Sequence, residues 1–337
     1  MGIHGGNVYR NHVDIDFSIN VNPLGIPESV KTALHRAVEM CDKYPDIEAE
    51  KLKKTVGEFL AVPGEYLLFG NGASELFMAI VHGIKPKKIV IPVPSFYGYE
   101  YAAKTVDSEI IYYEMKKENN FCMTEEIDNI LTNNVDLLFF ANPNNPVGNL
   151  LSKERLKGLL QHCENRGIYV VLDECFIEFC GERFSMISEI EEFPHLILVR
   201  AFTKIFAIPG VRLGYLVCKN KPVLTKIAGQ LPEWNLSCFA HEAGCICAEQ
   251  SEFIMKTEIF VKKEREFMVE ELGRKGFRIF PSMANFILIH SEENLYERLL
   301  EKGILIRDCR NFRGLGKGFY RVAVKRREEN EILLKNL

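Results

Sequence analysis

Several features that would place this chain in a common class are missing. No apolar run in its 337 residues approaches the roughly 20 that a membrane-crossing helix needs. No charged–apolar–small signal segment opens it. Met1-Gly2 begins as a myristoylation signal does, yet Gly6 stands where that signal wants Ser or Thr. The ten cysteines include no Cys-x-x-Cys pair, Cys245 and Cys247 are too close for a metal knuckle, and no histidine cluster accompanies them. No metal is therefore expected, and the cysteines read as reduced thiols buried as small hydrophobes in a cytoplasmic protein. A net charge of −4 gives no reason to expect nucleic acid or an anionic membrane as the main partner, so any affinity for phosphate must be local. The turn Gly70-Asn71-Gly72 lacks the third glycine of a dinucleotide fingerprint, and no Gly-x-x-x-x-Gly-Lys-Ser/Thr occurs. Nicotinamide and nucleoside triphosphates are thereby disfavoured. There is no internal repeat and no low-complexity segment.

What is present is a regular alternation. A polar arm, His4-Gly5-Gly6-Asn7, leads through an extended piece at 15–19 to Asn20-Val21-Asn22-Pro23. A helix is expected over 28–41, begun at Pro27 and amphipathic through Val30, Ala33, Leu34 and Ala37. From 45 to 233, short apolar strands at 66–69, 88–91, 109–113, 136–141, 168–172, 196–199 and 212–217 alternate with helices such as 73–81 and 153–164. This predicts an α/β domain with a mostly parallel sheet covered by helices on both faces. Ligands of such sheets bind beyond the carboxyl ends of the strands. Pro232-Glu233-Trp234-Asn235 breaks the pattern, and one long helical region is expected over 240–273. Strands at 278–280, 286–290 and 320–323, with a helix near 295–302, read as a smaller α+β domain. The expected division is 1–44 as an arm and helix packing with the small domain, 45–233 as the large domain, and 234–337 as linking helix and small domain.

The chemistry concentrates at strand ends. Lys204 follows one apolar strand, Arg212 lies eight residues beyond it, and Asp173 ends another strand thirty-one residues upstream. An amine, a carboxylate and a guanidinium are what pyridoxal phosphate requires: a lysine for its aldehyde, an anion for its ring nitrogen, a cation for its phosphate. A lone buried carboxylate needs a cation or a donor, so Asp173 is either such a partner or a structural cap. Gly72, Ala73 and Ser74 sit where a strand enters a helix, and free amides there suit a phosphate, although any such turn can look so. Asn145, in Asn142-Pro143-Asn144-Asn145-Pro146-Val147-Gly148, either stiffens a turn or donates to the ring oxygen of the cofactor. Phe96 can stack on the ring or simply be core. Arg321 alternates with apolar neighbours in a strand, a poor place for an unpaired guanidinium, and reads as a carboxylate clamp. Arg307 then meets a second anion, while Arg310 and Arg313 join it or form a solvated loop.

Taken in order, Asn-Pro-Asn-Asn-Pro-x-Gly, Asp-Glu-x-Phe and Thr-Lys-x-x-x-x-Pro-Gly-x-Arg-x-Gly-Tyr resemble the fold-type I aminotransferase superfamily over essentially the whole chain. The branch is the one holding threonine-phosphate decarboxylase and histidinol-phosphate aminotransferase. The arm, the run from Asp16 to Gly25, Trp234-Asn235 with Ser237, and Arg307-Asp308-Cys309 with 320–324 are more similar to the decarboxylase. The resemblance implies a homodimer with shared active sites, Tyr44 reaching the partner subunit's cofactor phosphate. It implies that His4 and Asn7 help bind a substrate phosphate and that Asn20 or Asn22 meets its carboxylate end. Two positions depart from the pattern. Phe176 replaces a common tyrosine, leaving Asn145 to act alone on the ring oxygen, and Ala201 replaces a Ser or Thr, which Thr203 offsets. The implied activity is decarboxylation of L-threonine O-3-phosphate in cobalamin-type synthesis, with histidinol-phosphate transamination as the rival. A regulator of the same fold would add a DNA-binding domain, and none is expected before residue 16.

Overall fold

The computed structural model describes residues 5–337; His4 lies outside the described residues. The arm contributes a short strand, β1 (Ile15–Asp16), and then α1 (Glu28–Val38) and α2 (Glu50–Leu60). The large sheet alternates with helices as the apolar runs predict: β2 (Leu67–Gly70), α3 (Ala73–Ile84), β3 (Lys88–Val93), α4 (Tyr97–Lys104), β4 (Glu109–Glu114), β5 (Leu137–Ala141), α5 (Lys153–Glu164), β6 (Tyr169–Asp173), β7 (Leu196–Ala201), α6 (Phe202–Ile205), β8 (Gly214–Val217) and α7 (Lys221–Ala228). Next come α8 (Cys238–Cys247), α9 (Ser251–Arg274), β9 (Arg278–Ile279), β10 (Phe286–His290), α10 (Leu295–Leu300), β11 (Ile304–Leu305), β12 (Arg307–Asp308), β13 (Phe319–Ala323) and α11 (Arg327–Asn336).

The seven-stranded sheet has the order β2-β8-β7-β6-β5-β3-β4. Strands β5 and β7 are buried along their whole length and β6 from Val170 onward, which is why they are apolar without alternation. Only β8 runs against the others: it is antiparallel to β7 on one side and to β2 on the other. Parallel strands end at one edge, and an antiparallel strand begins there. So β8's direction delivers Arg212, two residues before it, to the edge where β2, β3, β5, β6 and β7 finish.

The smaller sheet is antiparallel, in the order β12-β13-β10-β9. The arm joins this half through β1, which pairs in parallel with β11, and α1 packs against α8. The expected single helix over 240–273 is two, because the chain leaves helical geometry at Gln250 (φ −99°, ψ 40°) before α9 starts. No proline or glycine in Ala248-Glu249-Gln250 announces that break. Among the described residues no helix is long and apolar enough to cross a membrane.

Candidate active site

A cavity of about 570 Å³ opens at the carboxyl edge of the large sheet, roofed by the small sheet and the arm. Six basic side chains line it (Lys204, Arg212, Arg307, Arg310, Arg313 and Arg321) against two carboxylates, Asp173 and Glu100. In a chain of net charge −4 this is a strongly localised positive field.

On the floor, Asp173 ends β6 and Lys204 sits one short turn after β7. Asp173 Oδ1 accepts from the Cys175 amide at 2.9 Å and Oδ2 from the Tyr99 hydroxyl at 2.5 Å. Burial pushes its pKa up, opposed by the Cys175 thiol, by those two donors and by the charge of Lys204. No cation forms an ion pair with it among the described residues. The Lys204 amine likewise makes no hydrogen bond or ion pair there; desolvation lowers its pKa, and Arg321 and Arg212 push the same way. A buried anion without a cation beside an amine biased towards its neutral, nucleophilic form is a pair in want of a third component.

The phosphate end is built by close approach. Gly72 precedes α3 with φ +81°, and a Cβ there would run into the Arg212 guanidinium. A Cβ on Gly214 would lie 2.6 Å from the Ala73 nitrogen, so only glycine lets β8 approach the start of α3. Arg212 donates to the carbonyls of Pro209 (3.2 Å) and Asn71 (3.4 Å) and has no carboxylate partner among the described residues. Its guanidinium and the unpaired first amides of α3 face the same side of the cavity, with Ser74 and Thr203 in the lining. The site position of Ala201 carries only a methyl group. Phe96 closes another wall.

The roof holds the second cationic pair. Arg321 is buried, and burial, with Arg307 adding repulsion, lowers its pKa to about 10. It donates to the Ser18 carbonyl at 3.0 Å and to Asn145 Oδ1, with no carboxylate partner among the described residues. Because that amide oxygen faces Arg321, the Asn145 NH₂ is left for the cavity. Asn20, with its oxygen turned to the guanidinium, accepts from Arg321 Nη1 and Nε at 3.3 Å each. Arg307 donates to the Asp308 carbonyl (2.6 Å) and Asn311 Oδ1 (2.7 Å). Arg310 pairs with Asp308, and Arg313 pairs with Glu100 at 3.3 Å while lying 4.0 Å over the Tyr112 ring. Both rim arginines are therefore paired with carboxylates while remaining about half exposed.

The structure thus brings together Ala73, Ser74, Phe96, Asn145, Asp173, Thr203, Lys204, Arg212, Asn20, Arg307 and Arg321 in one cavity, with Gly72 packed behind Arg212. Three expected residues stand apart. Asn22 does not reach the cavity: its amide donates to the Ile205 carbonyl (2.6 Å) and Thr257 hydroxyl (2.8 Å), and its oxygen accepts from the Leu24 amide. It ties the arm to α6 and α9 instead. Asn7 is exposed and contributes its carbonyl to Asn11, away from the lining. Tyr44 is exposed and leans on Trp234, with ring centroids 5.0 Å apart, outside this protomer's cavity. The sequence reading missed Tyr99, Cys175 and Glu100. Tyr99, inside Tyr97-Gly98-Tyr99-Glu100-Tyr101, has the look of an ordinary core aromatic, and only the fold shows what its hydroxyl meets.

The family model for aminotransferase class I and II matches residues 13–337. Threonine-phosphate decarboxylase of Salmonella typhimurium is 32% identical, over 98% of this chain and 94% of that one. A histidinol-phosphate aminotransferase of Clostridium kluyveri is also 32% identical, over 88% and 84%. Among solved structures, the histidinol-phosphate aminotransferase of Clostridium acetobutylicum superposes with a TM-score of 0.90 at 36% identity, covering 96% of this chain and 98% of that one.

Proposed function

The chain belongs to the class I and II aminotransferase family, and from that premise we propose that it decarboxylates L-threonine O-3-phosphate to an aminopropanol phosphate. The family's cofactor is pyridoxal 5'-phosphate, and the cavity has a group for each part of it. Arg212, the Ala73 and Ser74 amides and Thr203 would hold the phosphate; Asp173 would face the ring nitrogen; Asn145 would donate to the ring oxygen; Phe96 would cover a ring face; Lys204 would hold the aldehyde carbon. When bound, the cofactor supplies a sink for the electron pair left at Cα.

The protein groups decide which bond breaks. Arg321 has the geometry to hold a carboxylate through two parallel N–H donors, and Arg307 lies beside it for a second anion. A substrate gripped at both ends cannot rotate freely about Cα, so remote binding energy selects the group set for departure. Carbon dioxide leaves with its bonding pair left at Cα, and the Lys204 ammonium returns a proton to that carbon. Phe176, in the lining without a hydroxyl, adds no donor there.

The observation that carries this reading is the buried Arg321 guanidinium, which has no carboxylate partner among the described residues, in a cavity whose further arginines suit a phosphate on the same molecule. Histidinol phosphate brings a phosphate but no carboxylate, although its transamination would supply one through the second substrate. Incubation with L-threonine O-3-phosphate and no keto acid should release carbon dioxide in step with amine product. Turnover that occurs only with histidinol phosphate and 2-oxoglutarate would transfer the chain to the aminotransferase reading.

A further inference from the structure

The floor of the cavity holds a contact that the reaction scheme does not use. Tyr99 projects from α4 across the sheet edge and places its hydroxyl 2.5 Å from Asp173 Oδ2. The phenol is the donor and the carboxylate oxygen the acceptor. The ring cannot swing away: it stacks on Phe139 at 4.8 Å and meets Phe77 and Phe96 edge-on at 5.2 and 5.6 Å. Tyr99 is fully buried, and its hydroxyl has no other partner among the described residues.

We propose that Tyr99 is a positioning residue that orients the Asp173 carboxylate and holds it ionised for the ring nitrogen of the cofactor. The inference rests on the family's cofactor and not on which reaction the protein performs. Desolvation alone would drive Asp173 towards its neutral form, and three donors oppose this, the Cys175 thiol, the Tyr99 hydroxyl and the Cys175 amide. The remaining charged group facing Asp173 is Lys204, with Arg212 and Arg321 acting on Lys204 in turn. Burial and the adjacent carboxylate keep the phenol protonated, so it serves as a permanent donor. The Cys175 amide is fixed by the backbone after β6, whereas the Tyr99 hydroxyl can be removed with its ring kept in place. Phe96, expected on the ring face, packs against the same tyrosine, so α4 sets both the electrostatic and the stacking contact.

Tyr99→Phe deletes the oxygen and keeps the ring. Without the phenol, Asp173 holds a proton more tightly, the ring nitrogen less so, and the nitrogen contributed by Lys204 retains its proton to higher pH. The holoenzyme's visible absorbance should then titrate with a midpoint raised by about half a pH unit or more. In an Asp173→Asn background the same substitution should move the midpoint by nothing measurable, as a double-mutant cycle requires of a residue acting through Asp173. Superimposable titrations of wild type and Tyr99→Phe overturn the proposal, and so does an equal shift in both backgrounds, which marks a packing effect. Should Tyr99→Phe fail to fold, wild-type protein carrying 3-fluorotyrosine replaces it. One buried fluorine resonance should then move on Asp173→Asn, and a spectrum unchanged at every buried tyrosine is the contrary result. Neither readout needs a substrate, so inactivity towards threonine phosphate leaves this test intact.

Discussion

At the scale of single residues the site turns on Arg212 and Arg321, neither of which has a carboxylate partner among the described residues. Arg321→Met should raise KM for a carboxylate-bearing substrate roughly ten- to a hundredfold, the equivalent of about 1.5–3 kcal/mol for hydrogen bonds to a charged group. Steady-state kinetics would show it, and an unchanged KM would remove Arg321 from the clamp. Lys204 makes a prediction about stability. Burial lowers its folded pKa below the ordinary 10.5, so between those two values the folded state binds fewer protons than the unfolded state and stability rises with pH. Below that window the full destabilisation persists. Cofactor-free Lys204→Met should therefore melt higher than cofactor-free wild type near neutrality, with the gap closing as pH approaches 10.5; a constant or reversed gap contradicts this. Lys204, Asp173 and Arg212 were legible in the sequence because they flank strand ends at tight spacing, and Arg321 because a guanidinium alternating with apolar residues inside a strand stands out. Tyr99 and Asn22 were not. An aromatic or an asparagine gives no sign in sequence of which atom it will face, and Asn22 meets α6 and α9 rather than the cavity.

At the scale of elements, β6 and β7 are tied together just behind the site. Arg200, wholly buried on β7, donates to Glu174 Oε2 from Nε (3.1 Å) and Nη2 (2.9 Å), and also reaches Glu182 and Ser185. Each partner is one residue from the functional group of its strand end, Glu174 after Asp173 and Arg200 before Ala201. Arg200→Met strands the Glu174 carboxylate in the core and should destabilise by about 3–5 kcal/mol in denaturant unfolding. Glu178 lies 3.9 Å from the same guanidinium, its Oε2 without a partner among the described residues. Burial raises its pKa from 4.5 to about 8. The folded state then holds more protons than the unfolded state between those values, and stability falls as pH rises through them. Glu178→Gln should match wild type near pH 4.5 and exceed it above pH 8 in melting temperature. The central strands could be placed from sequence because burial on both faces forces unbroken apolar runs. The two-residue strands β1, β9, β11 and β12 are too short to carry a periodicity, and the buried ion cluster reads in sequence as ordinary surface charge.

At the scale of the whole molecule, the chain displays an apolar face where the arm leaves α1. Val38, Met40, Tyr44 and Ile47 are exposed, and so is Trp234, against which the 81% exposed Tyr44 ring leans. Exposed apolar side chains gathered in one stretch of sequence suit a protein surface rather than water. It agrees with the dimer implied by the sequence resemblance, in which Tyr44 serves the other subunit. Sedimentation should give a dimer, and Tyr44→Ala should loosen the cofactor about tenfold, as expected for one hydrogen bond to a charged group. A monomer of undiminished cofactor affinity would contradict both. Lys204 and no other lysine should carry the cofactor. Borohydride reduction of the holoenzyme, followed by digestion and peptide mass spectrometry, reads that attachment directly. The label should fall on the peptide containing Lys204 and vanish in Lys204→Ala; a label on a different lysine, or none on yellow protein, would contradict it.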